Sequence, residues 1–365
     1  MAALSTVVAL VTDAFGGFGG IAQYNRNFLT SLADDPRVQR VVALPRDITG
    51  PVTDVPPGVE YRVDAAGSLR NFALVCLKTL HNEQPGLIFC GHVNLLPFAV
   101  PLARRYRTPL ALMVHGVDVW QPPRLASRLL LSEVDHCMSV SRLTIDKMLT
   151  WTDMPNRVPL TIMPNAVDLD RFNASTGKPS ELLGRYELHG KRVIMTLARL
   201  EAQERYKGLR EVLDILPELI AWDPNIRYLV VGNGSDLPNI RQHAESLKVA
   251  EHVVFAGRIS EAEKVAHYQL ADAYVMPGHG EGFGIVYLEA MACGIPVVAS
   301  VLDGSREAVR FGVLGELCDP RDPSTIVTAT KRALTKGRGA PPEGLDYFSL
   351  PNFRRRVHQF VAAVM

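Results

Sequence analysis

The stretch Pro277 to Ser300, PGHGEGFGIVYLEAMACGIPVVAS, decides how the rest of the chain is read. A Gly-rich loop with one carboxylate, Glu281, runs into good helix formers from Ile285 to Ala292, stops at Cys293-Gly294, and restarts as a β-branched run from Ile295 to Ser300. That order predicts loop, helix and buried strand. Gly282 and Gly284 let backbone N–H groups approach a ligand, and the start of a helix favours an anion such as phosphate. Glu289 follows Glu281 by one E-x7-E spacing. In a helix beginning near Gly282 it lies about 10 Å further along, at ~1.5 Å per residue. Two carboxylates so placed could hold hydroxyls at opposite ends of a phosphate-containing ligand. As residue types alone they read first as a helix N-terminal acid and a surface acid.

The stretch resembles, without a gap through its closing strand, the donor-site segment of retaining, nucleotide-sugar-dependent glycosyltransferases with the GT-B fold. Within these it is most similar to glycosyltransferase family 4, the glycosyl transferases group 1. The resemblance implies that Glu281 meets the donor sugar and Glu289 the ribose, with Gly282, Phe283 and Gly284 against the donor at the helix start.

A chain of 365 residues suggests two domains, and 47% hydrophobic with 21% charged residues is the composition of a soluble globular protein with ample core. A net charge of +1 argues against a general nucleic-acid binder. The five cysteines (Cys76, Cys90, Cys137, Cys293 and Cys318) form no C-x-x-C pair, which argues for a reducing compartment and against a structural zinc. The opening MAALSTVVALVTD lacks a basic n-region and a cleavage site and is too short to span a membrane; a first buried strand over Thr6 to Val11 is expected.

FGGFGGIAQYNRNFLTSLAD follows, a Gly-rich turn feeding an amphipathic helix. Its place between strand and helix suits phosphate binding, although the G-x-G-x-x-G spacing of a dinucleotide fingerprint is absent. It is similar to the family's first-domain loop, in which a Gly-Gly pair faces the donor diphosphate. Gly20 and its neighbour Gly19 take that place, and Gln23 and Tyr24, one turn on, are expected to reach donor or acceptor.

From Val38 to Met163, strands are expected at Val38–Leu44, Leu87–Cys90, Leu110–Val114, His136–Val140 and Thr161–Met163, alternating with helical patterns. Such alternation argues for a parallel sheet, with ligands gathering at the carboxyl ends of strands. His115 follows LALMV directly and should stand at such an end; alone, it reads as a loop-packing histidine. The form H-G-x-D resembles a family position where a His lies near the reacting sugar. Between Pro97 and Leu131, Arg104, Arg105, Arg107, Arg124 and Arg128 face only Asp118 among acids, with the apolar Leu125–Leu131 interleaved. That is either a solvated face or a surface for anionic lipid.

NASTGK, from Asn173 to Lys178, reads as an interdomain linker. A strand at Arg192–Leu197 opens the second domain, with Arg199 at its end and Lys207 before the helical LREVLDILPELI. Cations at a helix mouth suit a pyrophosphate leaving group. They resemble the family's R-x-x…K-G element, with Arg205 in the intervening acid-rich loop as a rival. Further strands are expected within RYLVVGNGSD and HVVFAGRIS, with the backbone of Arg258 and Ile259 bordering the base. Asp303 to Glu307 resembles the family's G-x-x-E turn, residues 312–315 read as a hairpin or turn, and the last helical segment is expected to cross back onto the first domain.

These readings imply an α/β protein of the GT-B fold, two Rossmann-like doubly wound domains facing across a cleft. The expected domains are residues 1–172 with helix 349–365 for the acceptor side, and 179–348 for the donor. Its activity would be retaining transfer of a hexose from GDP-mannose or a UDP-hexose to a sugar or lipid-linked sugar acceptor, in bacterial surface polysaccharide or glycolipid assembly. Glu281, Arg199, Lys207 and His115 would be catalytic. Gly19, Gly20, Arg258, Ile259, Gly282, Phe283, Gly284 and Glu289 would bind the donor. No cofactor is expected, and no D-x-D-like pair calls for a metal. The location would be cytoplasmic, either free or at the inner face of the plasma membrane. The rival readings are a sugar-nucleotide epimerase or hydrolase, a sugar phosphorylase, for which no cofactor-lysine or inorganic-phosphate site is identified, and a non-catalytic nucleotide-sugar-binding subunit.

Overall fold

β1 (Ser5–Val11) is buried from Thr6 to Val11, which its run of apolar residues allows: a parallel strand covered on both faces needs no polar alternation. It lies inside a seven-stranded sheet with β2 (Val38–Pro45), β3 (Val59–Tyr61), β4 (Pro85–Cys90), β5 (Leu110–Val114), β6 (His136–Ser139) and β7 (Leu160–Ile162). Every pairing is parallel, in the order β3-β2-β1-β4-β5-β6-β7. The computed structural model describes residues 5–175 and 177–365, and counts of elements refer to these. The first residues of the N-terminal reading (1–4) and Thr176 of the expected linker lie outside them.

The second sheet contains β8 (Arg192–Leu197), β9 (Ile226–Val231), β10 (Val253–Gly257), β11 (Ala273–Val275), β12 (Val297–Ser300) and β13 (Glu316–Cys318). Its order is β10-β9-β8-β11-β12-β13, again all parallel. A buried polar relay stitches its middle. Tyr228 donates from its hydroxyl to Thr196 Oγ1 at 2.8 Å, and Thr196 Oγ1 donates to the Val275 carbonyl at 2.5 Å. Apart from β2 and β3, successive strands in both sheets are joined through helices, so the chain has the doubly wound α/β class in each half.

The chain divides into two compact units, one of residues up to Ala166 together with Leu350–Met365, the other Val167–Ser349. In the first, the helix Leu350–Val364 packs on the helix Gly20–Ala33 through rings. Phe353 stands edge-on to Tyr24 at 5.6 Å, and Phe360 lies 6.3 Å from Phe28, which stacks on Phe89 at 4.3 Å. In the second, Asp272 accepts from Lys178 Nζ at 2.5 Å and from the Val193 amide at 2.7 Å, fixing the start of β8.

Two short strands, β3 and β13, stand where no strand was expected. Residues 313–315 form a turn but not a hairpin, since β13 runs parallel to its neighbour β12.

Candidate active site

In a doubly wound sheet, ligands collect outside the strand ends where the order reverses. In the second unit that reversal lies between β8 and β11. Ala198-Arg199 leaves the end of β8, and the loop of Glu281 leaves the end of β11, so the topology alone brings the predicted cation and carboxylate to one place.

Two loops interlock there. A Cβ on Gly208 would fall 2.5 Å from the Pro277 carbonyl oxygen, and one on Gly280 2.4 Å from the Tyr206 ring. The His279 amide donates to the Tyr206 carbonyl at 2.8 Å. Lys207 Nζ consequently sits 4.0 Å from Glu281 Oε1 and 2.8 Å from Glu204 Oε2. Arg199 pairs with the other oxygen of Glu204. Arg205, the rival cation, is committed elsewhere: Nη2 donates to Asp236 Oδ1 at 2.8 Å.

Glu281 is held by its backbone. Its amide donates to Asp303 Oδ2 at 3.0 Å and its carbonyl accepts from the Gly304 amide at 2.7 Å. Gly304 has no room for a side chain, since a Cβ would come within 2.0 Å of the Gly282 oxygen. Asp303 is fully buried and also accepts from Ser305, at 3.0 Å from the amide and 2.5 Å from the hydroxyl. Burial raises the Glu281 carboxyl above its ordinary range against the pull of Lys207, and burial likewise raises Asp303.

The helix Ile285–Ala292 begins at Gly284, whose φ of 86° is the left-handed conformation that favours glycine. Its first N–H groups have no intrahelical acceptor and carry the positive end of the helix dipole. Tyr287 anchors this turn to the sheet, donating to the Met276 carbonyl at 2.5 Å. Phe283 is 3% exposed and its ring packs on Phe348 at 5.5 Å, so its side chain is part of the core. Glu289 is also buried, at 4% exposed. It accepts from the Tyr268 hydroxyl at 2.7 Å and from Lys264 Nζ at 3.3 Å, so in this structure its carboxylate is already engaged. Arg258 and Ile259 follow β10, beside the Gly232 turn, whose amide donates to the Gly257 carbonyl at 2.8 Å.

The first unit has its own reversal, between β1 and β4, and Gly19, Gly20 and His115 belong to this unit. Gly19 has φ 90° and precedes the Gly20–Ala33 helix. Gly17 is small because Asp13 fills the space beside it: a Cβ there would lie 2.2 Å from the carboxylate. Gly20 has neither reason, for an added Cβ would meet nothing within 4 Å. The expectation that Tyr24 reaches a ligand is corrected: its side chain is 1% exposed, turned into the core between Phe28, His115 and Phe353. Gln23 donates to Asn27 Oδ1 at 3.1 Å and accepts from Arg26 at 2.7 Å.

His115 stands at the end of β5, as expected. Its Nε2 is 2.9 Å from the Gly91 carbonyl, which can only accept, so Nε2 carries the proton and Nδ1 is bare. Burial holds the imidazole down at about 3, so it is neutral. Asp118 accepts from the His115 amide at 3.1 and 3.2 Å and positions this turn, its own carboxyl pushed up to about 7 by burial.

The basic surface read between Pro97 and Leu131 is smaller than its composition suggests. Arg104 is spent on Glu133, 2.5 Å away and just past that window. Arg105 and Arg107 remain exposed, and so does the short helix Leu125–Leu129, where Leu125 and Leu129 are each 68% exposed and alternate with exposed Arg124 and Arg128. Among the described residues no helix is long and apolar enough to cross a membrane, and no group of three His, Cys, Asp or Glu is placed to hold a metal.

Two parallel-sheet units, one with cations, a carboxylate and a helix start at its strand reversal, define a protein of the GT-B class that works on a nucleotide sugar. The chain belongs to glycosyltransferase family 4: residues 185–342 match "Glycosyl transferases group 1" and residues 18–171 match "Glycosyltransferase Family 4". It is 35% identical over 283 residues to a GDP-mannose-dependent alpha-(1-6)-phosphatidylinositol monomannoside mannosyltransferase of Mycolicibacterium smegmatis, covering 74% of this chain and 73% of that one. It is 40% identical over 168 residues to a phosphatidyl-myo-inositol mannosyltransferase of Mycobacterium tuberculosis, covering 46% of this chain and 41% of the relative. The fold is that of Anabaena Alr3699/HepE, solved with UDP and glucose: TM-score 0.76, 19% identity, 98% of this chain and 100% of the other.

Asp303 and Glu204 were not singled out from the sequence. Asp303 left a trace, the D-G-S turn after β12; the acid-rich loop of Glu204 was visible, but its partners were not.

Proposed function

We propose that the protein transfers mannose from GDP-mannose to a hydroxyl of a glycolipid acceptor, with retention at the anomeric carbon and without a metal. The observation that carries this is the meeting of Arg199, Lys207 and Glu281 beside a helix start at the β8/β11 reversal. The identity to mannosyltransferases supports mannose as the sugar and GDP as its carrier.

In this reading the diphosphate lies against Arg199, Lys207 and the backbone of Gly282, Phe283 and Gly284, where two cations and a helix dipole take up the charge that develops on leaving. Gly19 and Gly20 lend backbone groups, Glu289 holds the ribose, and the backbone at Arg258 and Ile259 borders the base. The bond from the anomeric carbon to the diphosphate oxygen breaks as that from the acceptor oxygen forms on the same face. The acceptor proton passes to the departing phosphate oxygen. Glu281 orients the sugar and steadies positive charge at the anomeric carbon, while neutral His115 hydrogen-bonds a hydroxyl on the acceptor side. Exposed Leu125 and Leu129, each directly after an arginine (Arg124 and Arg128), suit an anionic leaflet where a lipid acceptor is found.

The test is turnover of GDP-mannose and UDP-hexoses with phosphatidylinositol-type acceptors, with and without EDTA, with the product anomer read by NMR. An α-mannoside formed undiminished in EDTA is the expected result. Turnover with only a UDP-hexose replaces the donor, free sugar without acceptor product replaces the reaction, and full function in Glu281→Ala makes the protein a binding subunit.

A further inference from the structure

The cations assigned to the diphosphate are already paired with an anion of the chain itself. Of the charged groups in the loop between β8 and the helix Leu209–Trp222, Glu201 is taken by Ser235, whose hydroxyl donates to it at 2.6 Å, and Arg205 is taken by Asp236. Glu204 alone of the loop's acids faces the two cations assigned to the diphosphate, one carboxylate oxygen toward Arg199 and the other 2.8 Å from Lys207. Its side chain is 13% exposed and that of Lys207 11%, whereas Arg199 is 72% exposed. A sheltered ammonium without a counter-ion is costly; Glu281 lies 4.0 Å from Lys207, and Glu204, at 2.8 Å and shared with Arg199, is the nearer partner.

The pairing is also one that can be surrendered. Glu204 Oε2 is within ion-pair distance of Lys207 but makes no aligned hydrogen bond, and it is buried. The backbone leaves helical geometry at Glu204 itself, with φ −111° and ψ 27° inside the 3-10 segment Ala202–Lys207, so the side chain sits at a break and not on a rigid turn. Glu281 and Asp303 are close enough to share the same field. If Glu204 kept its place on donor binding, the diphosphate would have to share Arg199 and Lys207 with it, beside Glu281, and like charges at such range repel.

Resting on the reading of Arg199 and Lys207 as the diphosphate cations, we propose that Glu204 is the resident counter-anion of the donor site. Its carboxylate holds both cations while the site is empty, yields them to the diphosphate, and reclaims them as the nucleoside diphosphate leaves. It is a positioning residue, touching the reaction only through Arg199 and Lys207.

The experiment is calorimetric titration of GDP and UDP into wild type, Glu204→Gln, Glu204→Asp, Arg199→Ala and Lys207→Ala, with steady-state kinetics on the same proteins. Glu204→Gln keeps the shape and removes the charge. It should bind the preferred nucleoside diphosphate about tenfold tighter, the scale of one partly sheltered charge contact. It should also lower KM for the donor without raising kcat, because product release slows. A folded Glu204→Gln that binds the nucleotide as wild type does, or more weakly, overturns the proposal, since a brace for the cations would behave that way. Glu204→Asp, which withdraws the carboxylate by one methylene, should fall between the two and decides the matter if Glu204→Gln does not fold. Arg199→Ala and Lys207→Ala separate the two layers. If they weaken nucleotide binding while Glu204→Gln does not tighten it, the counter-anion role alone fails. If neither alanine variant weakens it, the diphosphate reading itself fails.

Discussion

The two sheets reverse their strand order in the same manner, yet the groups gathered at the two reversals differ in electrical character. At β8/β11 stand Arg199, Lys207, Glu204, Glu281 and buried Asp303, a field of full charges within a few ångströms of one another. At β1/β4 the charges of Asp13 and Arg26 are turned onto the backbone of the adjoining loop. At the neighbouring end of β5, His115 and His92 are held neutral by burial, at about 3 and about 4, with the Asp118 carboxylate on a backbone amide. One scaffold therefore offers two kinds of site. The charged one suits a ligand that carries its own charge; the neutral one suits hydroxyls, which need aligned donors and acceptors but no counter-ion.

Glu281→Ala strikes the charged side hardest and should lower kcat/KM about 10³-fold, as expected for loss of a transition-state charge contact. Melting temperature should hold, and a loss under tenfold would dissolve the contrast between the units. Lys207→Ala should cost about 10²-fold and Arg199→Ala about tenfold, because a sheltered cation interacts more strongly than one that is 72% exposed. His115→Ala, by comparison, should leave nucleotide affinity at the wild-type value while reducing kcat; equal loss of nucleotide binding would show that both sites serve the anion. Asp303→Asn should cost about tenfold in kcat through the Glu281 backbone, since a bent hydrogen-bond partner misplaces a group that must be well oriented.

The smallest expected effect is on acid stability. Unfolded imidazoles protonate near 6.5, well above the values of His115 and His92 in the fold. Below about pH 6.5 the unfolded chain binds more protons, so stability falls as pH drops. Asp118, pushed up to about 7, has the opposite sign and costs stability as pH rises from about 4 toward 7. The difference between wild type and His115→Gln removes that background. The variant should lose less Tm between pH 6.5 and 5, by about 2–4 °C. An identical slope would mean that His115 is already solvated.

The Pro277–Ser300 stretch was legible because Gly, helix formers and β-branched residues follow one another in blocks: the helix runs from Ile285 to Ala292 and the strand from Val297 to Ser300. β3 and β13 were not, since three-residue edge strands leave no period to read. Tyr24 shows a different limit. An aromatic one turn after a Gly-rich loop looks the same whether its face of the helix meets a ligand or the core, and here Phe353, from the far end of the chain, makes it core. Likewise Arg104 looked unopposed until its turn placed it beside Glu133, and the loop acids could be counted but not assigned until Glu204 was seen between two cations. Local pattern carried the elements; the pairings that tune the site come from residues brought together by tertiary structure.

The helix Leu350–Val364 closes the core around Tyr24 and Phe28. The core of the first unit is therefore closed by contacts more than 300 residues apart in sequence, with all of the second unit's residues between them. Contacts of such long sequence separation form late, so the first half of the chain to be synthesised cannot complete its core before residues 167–349 have been made, and Tyr24 and Phe28 stay uncovered for that interval.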